Sequence, residues 1–211
     1  MAGELVELEP AMTVIAPEPL ASDHPMPRVT LDIAEGDGWN AERRENVARL
    51  FDELSDGWHE THTSELRLAP LVDALDRGDV GTGRLIEVGA GTGAGTERIA
   101  PRMPVAAAVD LSAGMLARAD ASLAPLVQAD ASRLPIGDGM VDIAVMVNMF
   151  LFPAEIDRVL SAAGRVVWVN TMADQTPIRL APRAVVDALP GQWSGVTSRA
   201  GAGWWCVARR A

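Results

Sequence analysis

Residue types able to do binding chemistry concentrate in one stretch of the 211-residue chain, "LIEVGAGTGAGTERIA", residues 85–100. An acid, Glu87, interrupts a short apolar run, and Gly89, Gly91, Gly93 and Gly95 follow at alternate positions. Glycine removes the Cβ that would block positive φ angles or the close approach of a ligand to the backbone. The helical segment that follows offers unpaired N–H groups. Between a strand and a helix, such a loop is a ligand cradle rather than a flexible connection. Gly89, Ala90, Gly91 and the residues to Ala94 satisfy the dinucleotide pattern G-x-G-x-x-G/A, with Asp110 about twenty residues further on. Glu87 speaks against that ligand, because a carboxylate beside a pyrophosphate is repulsive and beside a cation is favourable. Asp130 is a further acid after a short apolar segment. His59 and His62 are three apart, on one face of a helix, and are candidates for a general base or a substrate contact. The third histidine, His24, falls in a proline-rich arm and is given no role. The His59–His62 pair lacks a third ligand, so no metal is expected.

Composition bounds the partners. A net charge of −11 argues against nucleic acid, whose phosphates need a basic surface. The single cysteine, Cys206, excludes an internal disulfide and a Cys-only metal site. No apolar run approaches the ~20 residues of a membrane helix, and "MAGELVELEP" is acidic where a signal peptide is basic. A cytoplasmic protein without a membrane partner is expected, as a monomer or homodimer.

Three regions must position these residues. Residues 1–38 carry prolines 10, 17, 19, 25 and 27 and are expected as a loosely ordered arm, with a short strand at 28–33. Residues 39–82 are helical in pattern. Val47, Leu50, Phe51 and Leu54 recur at helical spacing, Asn40 and Ser64 are N-cap candidates, and Gly78 is a stop. From residue 83 to 211 strands and helices alternate, and the middle strands are continuous apolar runs, as in a parallel sheet covered on both faces. This predicts an α/β, Rossmann-like doubly wound fold, whose ligands sit outside the carboxyl ends of the strands.

With Glu87, Gly89, Gly91 and Gly93 the chain resembles motif I of the class I S-adenosylmethionine (SAM)-dependent methyltransferases, closest to their ubiquinone/menaquinone-type (type 11) branch. The resemblance runs over about residues 39–171. It implies a mostly parallel seven-stranded sheet with a terminal antiparallel strand, a helical lid at 39–82 and a SAM-binding core at 83–211. In "AAAVDLSAGMLARA" it implies that Asp110 holds the ribose hydroxyls, with Leu111 and Met115 flanking the adenine. In "VQADASRLP" it implies that Asp130 accepts from the adenine amino group and that Ala131 offers its N–H to the ring. "VDIAVMVN" resembles the fourth strand, whose end at Val147 and Asn148 lies near the methyl group. In "IDRVLSAAGRVVWVN" Gly164 stands at a helix–strand turn.

Two departures stand out. The segment after the fourth strand, "MFLFPAEIDRVL", is short, and the family's histidine positions fall on Leu151 and Phe152. The chain has no Tyr, and Trp58 and His59 occupy the lid segment where the family often carries one. The resemblance implies a methyl transfer from SAM to a small-molecule acceptor. An NAD(P)-linked oxidoreductase and a non-catalytic SAM-binding protein are the alternatives.

Overall fold

The computed structural model describes residues 3–15 and 25–211; His24 lies outside them. Strands β1 (Leu5–Glu7), β2 (Leu85–Val88), β3 (Val105–Asp110), β4 (Leu126–Gln128), β5 (Val141–Val147), β6 (Leu160–Asn170), β7 (Trp193–Ala200) and β8 (Gly203–Arg210) form one sheet. Its order is β1-β7-β8-β6-β5-β2-β3-β4. Only β8 runs antiparallel to its neighbours; every other pairing is parallel. The strand order reverses between β2 and β5, so the crevice for a ligand opens where those two strands end.

Helices cover both faces. Along β2 the side chains alternate: Ile86 and Val88 pack with α7 (Pro153–Val159) and α8 (Pro182–Ala188). Leu85 packs on the other face with α4 (Glu65–Arg77) and α5 (Ala94–Ile99). Ser64 caps α4 by accepting from the Arg67 N–H at 3.3 Å, and Gly78 ends it. Leu71 and Ala74 of α4 are fully buried, and its Asp73 accepts from the Trp205 indole at 2.7 Å. This helix is therefore a layer of the sheet. Within residues 39–82, only α2 (Ala41–Leu54) and α3 (Trp58–His62) stand apart from it.

The seven strands anticipated from residue 83 onward are present, and the N-terminal arm adds an eighth. β1 pairs with the outer edge of β7, and the Arg183 guanidinium donates to the Gly3 carbonyl at 2.7 Å. Residues 28–33, expected as a strand, lie instead in α1 (Met26–Ala34). Proline is tolerated in a first helical turn, where its missing N–H would have no partner. Pro27 sits there, Pro25 is the N-cap before it, and an i,i+4 Arg28–Asp32 pair of 2.7 Å spans the exposed side. Gly164 is also not at a helix–strand turn. The helix stops at Val159, the strand begins at Leu160, and Gly164 lies in an irregular stretch of β6 opposite β5. A Cβ there would press on Leu160 and the Ser161 carbonyl at 2.9 Å, so close approach rather than positive φ explains the glycine. The segment "AGMLARADAS" shortens to a four-residue α6 (Ala113–Leu116). Trp168, Trp205 and Leu151 are fully buried, whereas Trp204 is only partly so. Among the described residues no helix is long and apolar enough to cross a membrane.

The α1 segment of the arm thus packs into the core. Thr30, Ile33 and Ala34 of α1 are buried, and the Thr30 hydroxyl donates to the Met26 carbonyl at 2.8 Å. Ile33→Ala is expected to lower the unfolding free energy by about 2–4 kcal/mol in urea titration. A loss below about 0.5 kcal/mol, the range of ordinary surface changes, would return α1 to the status of a loose appendage.

Candidate functional site

The cleft forms where β2, β3 and β5 end. After Val88 the chain must turn from strand into α5, and it does so with Gly89, Gly91 and Gly93 at φ of +78°, +57° and +85°. The turn is pinned from below, because Gly89 and Ala90 both donate to the Val109 carbonyl, at 2.8 and 3.0 Å. Gly89 has a second reason for lacking a side chain: a Cβ would stand 2.5 Å from Met149 Sδ. Gly91 differs, since nothing lies within 4 Å of where its Cβ would be. That open space belongs to the cleft.

Glu87 occupies the buried face of β2 beneath this loop, 1 % exposed. The Thr96 hydroxyl of α5 donates to its carboxyl group. Gly95 makes the contact possible, because a Cβ there would overlap Glu87 Oε1. Burial pushes the Glu87 pKa up to about 8, against the downward pull of the Thr96 bond and with a further rise from Asp110. At neutral pH the side chain is an acid holding its proton at the edge of the cleft.

Asp110 closes β3, and its two oxygens accept from Gly91 N and Ser112 N, each at 2.8 Å. Burial raises its pKa, opposed by those N–H donors. Leu111 and Met115 line the same wall. Asp130 stands at the next strand end, with Ala131 buried beside it. Asp130 Oδ1 accepts from Ser132 N at 2.8 Å, and both oxygens lie 3.2 Å from the Trp39 indole nitrogen. On the far side are Val147 and Asn148. Asn148 adopts a φ of +51° and is held to Thr171 by two side-chain bonds of 2.9 Å. Of the expected cofactor residues, all but Gly93 line one cleft; Gly93 serves the turn, facing Ala119 instead.

The two histidines separate. His59 faces the glycine loop, with Nδ1 3.2 Å from Thr92 Oγ1 and Nε2 3.5 Å from Glu97 Oε1, and does not line the cleft. His62 does line it. Its ring stacks on Trp58 at 3.8 Å, and Nδ1 lies 2.9 Å from the Trp58 carbonyl. Nδ1 also lies 2.8 Å from Thr61 Oγ1, and in the tautomer with hydrogen on Nδ1 the ring donates to the carbonyl. Burial first, then the nearby Arg67 charge, lowers the His62 pKa. In that tautomer the neutral ring keeps an acceptor lone pair on Nε2.

Over the cleft lie Trp39, α2 and α3. Trp39 packs edge-on against Phe152 at 5.2 Å, and Phe51 against Trp58 at 5.8 Å. Spacing did not suggest how this cover is fastened. Asp52 of α2 accepts from the Ser112 hydroxyl at 2.5 Å and from Gly114 N at 2.8 Å, and these two bonds hold its pKa below the usual range. Ser112 sits two residues beyond Asp110, which was its one sequence signal. Arg67 carries no sequence signal of its own, as one charge in the first turn of α4.

Residues 86–170 match the family model described as "Methyltransferase domain". A curated relative, malonyl-[acyl-carrier protein] O-methyltransferase of Geobacter sulfurreducens, is 39% identical over 91 residues. That match covers 40% of this chain and 34% of the relative, so the chain spans about a third of that protein's length. Among solved structures, a SAM-dependent methyltransferase from Thermotoga maritima, described as a possible histamine N-methyltransferase, aligns with a TM-score of 0.58 at 16% identity. The alignment covers 78% of this chain and 99% of that one. A putative SAM-dependent methyltransferase from Methanococcus maripaludis aligns with a TM-score of 0.55 at 19% identity, over 83% and 98% of the two chains. These two likenesses show the fold. The matched stretch runs from β2 to the end of β6, so the methyltransferase likeness falls on the strands that border the cleft, within a Rossmann-like sheet.

The buried acid has a measurable signature. Its folded-state pKa of about 8 lies above the ordinary 4.5, so between these values the folded chain keeps a proton that the unfolded chain loses. This contribution to stability is fully present below pH 4.5 and is lost as pH rises through 8, by up to about 1.4 kcal/mol per pH unit. The stability difference between Glu87→Gln and the unaltered protein, read from urea titrations, is expected to shift in the variant's favour across that window. A difference that does not vary with pH would mean that Glu87 titrates as an ordinary surface acid.

Proposed function

We propose that the chain is a SAM-dependent methyltransferase that moves a methyl group to a small-molecule acceptor, and that the cleft above β2 and β3 is its cofactor site. The observation that carries this reading is the open space over Gly91 beside a buried acid, Glu87, with Asp110 at the neighbouring strand end. The residues fit SAM in charge and shape. Asp110 keeps lone pairs for the ribose hydroxyls beyond the two N–H groups it already accepts. Leu111, Met115 and Ala131 offer an apolar slot for a flat ring, with Asp130 at its edge. Glu87 would give up its proton in favour of a cationic ligand, which a pyrophosphate would not induce.

SAM, when bound, supplies an electrophilic methyl carbon on a cationic sulfur. The protein's own part is alignment and exclusion of water. Val147 and the rigidly held Asn148 form the rim of β5 next to the acceptor side. His62 Nε2 would take a proton from an acceptor hydroxyl or amine, and Trp58 holds its ring in place. His59 belongs to the support of the glycine loop rather than to the chemistry.

Residues 39–63 would act as the lid. The cleft keeps about 130 Å³ free, below the ~300 Å³ of small-molecule sites, so the cover must withdraw for exchange. Titration calorimetry with SAM, its demethylated product S-adenosylhomocysteine and NADH tests the reading. The first two are expected to bind and the third is not. Asp110→Ala should weaken both by about 2 kcal/mol or more, the scale of charge-assisted hydrogen bonds. Gly91→Val should abolish binding while leaving the circular dichroism of a folded sheet. Binding of NADH in place of SAM would overturn the assignment.

A further inference from the structure

Beside the cofactor cleft lies a second, larger cavity of about 710 Å³, under the apolar face of α2. Val47, Leu50, Phe51 and Leu54 turn toward it, although Leu50 and Leu54 are 47% and 43% exposed and no residue of α2 is fully buried. The helical repeat that would ordinarily seat a helix on a core here lines a hollow instead. The two cavities share Phe51, Trp58, His62 and Asn148, so a molecule in the second reaches the rim of the first.

One cation stands at this junction without a counter-charge. Arg67 lines both cavities and is half-buried. Among the described residues its guanidinium has no hydrogen bond or ion pair. Partial burial of a guanidinium without a partner is unfavourable, and that burial lowers its pKa. Arg43, the other arginine on this cavity, donates to the Gly38 carbonyl at 2.6 Å and lies beside Glu42 on the α2 wall, away from the cofactor cleft that Arg67 also lines. Asp73, Asp76 and Glu65 on the same helix as Arg67 are directed to Arg77, Arg102 and Arg98. In a chain of net charge −11, an uncompensated arginine at the meeting point of two cavities is a built-in anion receptor.

We propose that the second cavity is the acceptor pocket and that it takes an amphipathic acid, an apolar body with one carboxylate or similar anionic group, with Arg67 as counter-ion. The proposal rests on the cofactor assignment above and extends it to the substrate class. The apolar body replaces water along Leu50, Leu54 and Phe51, and Arg67 forks onto the anionic group. Its anchoring leaves the other end of the acceptor facing His62 and Asn148.

A carboxylate at Arg67 has a second possible source, the amino-acid end of SAM itself, and the experiment separates the two. Octanoate and 1-octanol serve as probes, titrated by calorimetry against the full chain saturated with S-adenosylhomocysteine. Octanoate is expected to bind at least tenfold more tightly than octanol. Arg67→Gln should erase that preference while moving the affinity for S-adenosylhomocysteine less than threefold, and Arg67→Lys should restore part of it. Equal binding of acid and alcohol to the unaltered protein overturns the proposal and needs no variant. A loss confined to S-adenosylhomocysteine in Arg67→Gln overturns it too, and gives Arg67 to the cofactor. Failure of S-adenosylhomocysteine to bind the unaltered protein would instead remove the cofactor assignment on which the pocket depends.

Discussion

A carboxyl group inside the sheet layer is the constraint around which the cleft is organised. Glu87 shares the face of β2 with Leu85, where α4 and α5 pack. An unpartnered polar group there is unfavourable by about 1–3 kcal/mol, so α5 must bring a donor to it. Thr96 supplies the donor. The helix can come that near only because Gly95 has no side chain, and its first turn must then follow the strand after a very short loop. That geometry demands the left-handed angles of Gly89, Gly91 and Gly93. The loop's shape, its open space and the packing of α5 are consequences of one buried acid.

The cover is tied to the same framework. Asp110 holds the loop through Gly91 N and holds Ser112 through its N–H, and Ser112 in turn donates its hydroxyl to Asp52 on α2. Trp39 reaches Asp130 at the other side of the same wall. The two acids proposed to read the ribose and the adenine thus lie directly beneath the two fastenings of the cover. A ligand that draws on Asp130 competes with the Trp39 indole, and one that draws on Asp110 pulls on the segment that holds Asp52. Ligand entry and movement of the cover are in this way mechanically coupled through hydrogen bonds a few ångströms long. Both fastenings are local and polar, which suits an element that must open.

The sheet and the walls of the cleft were legible in the sequence because local rules decide them. Apolar runs of strand length, glycines at a strand end and acids at the ends of β3 and β4 act within a few residues of themselves. What escaped depends on distant partners. Residues 28–33 looked like a strand because prolines flank them, yet Pro27 fits a first helical turn with Pro25 as the N-cap before it, and Ile33 finds a core to fill. β1 exists only because β7 leaves an edge to pair with. Gly164 was credited with a turn, and its real neighbours, Leu160 and Ser161, become close only through the irregular pairing of β5 with β6. His59 and His62 share a helix, but the stacking of His62 on Trp58 is what sets their different surroundings.

The same distinction separates the two cavities. The cleft proposed for the cofactor is made of backbone turns and strand ends, whose positions the sheet dictates, so residue types alone point to it. The second cavity is made of one face of α2, an element with no fully buried residue. An apolar helical repeat is ordinarily evidence of core packing, and by that rule Val47, Leu50, Phe51 and Leu54 should have been covered by protein. They are left to line a hollow. Such a face, with Arg67 of α4 on the same cavity, has apolar surface left to bury against an occupant. The pattern that marks a core helix in a sequence therefore also marks a wall waiting for its ligand, and only the placement of α2 against the sheet tells the two apart.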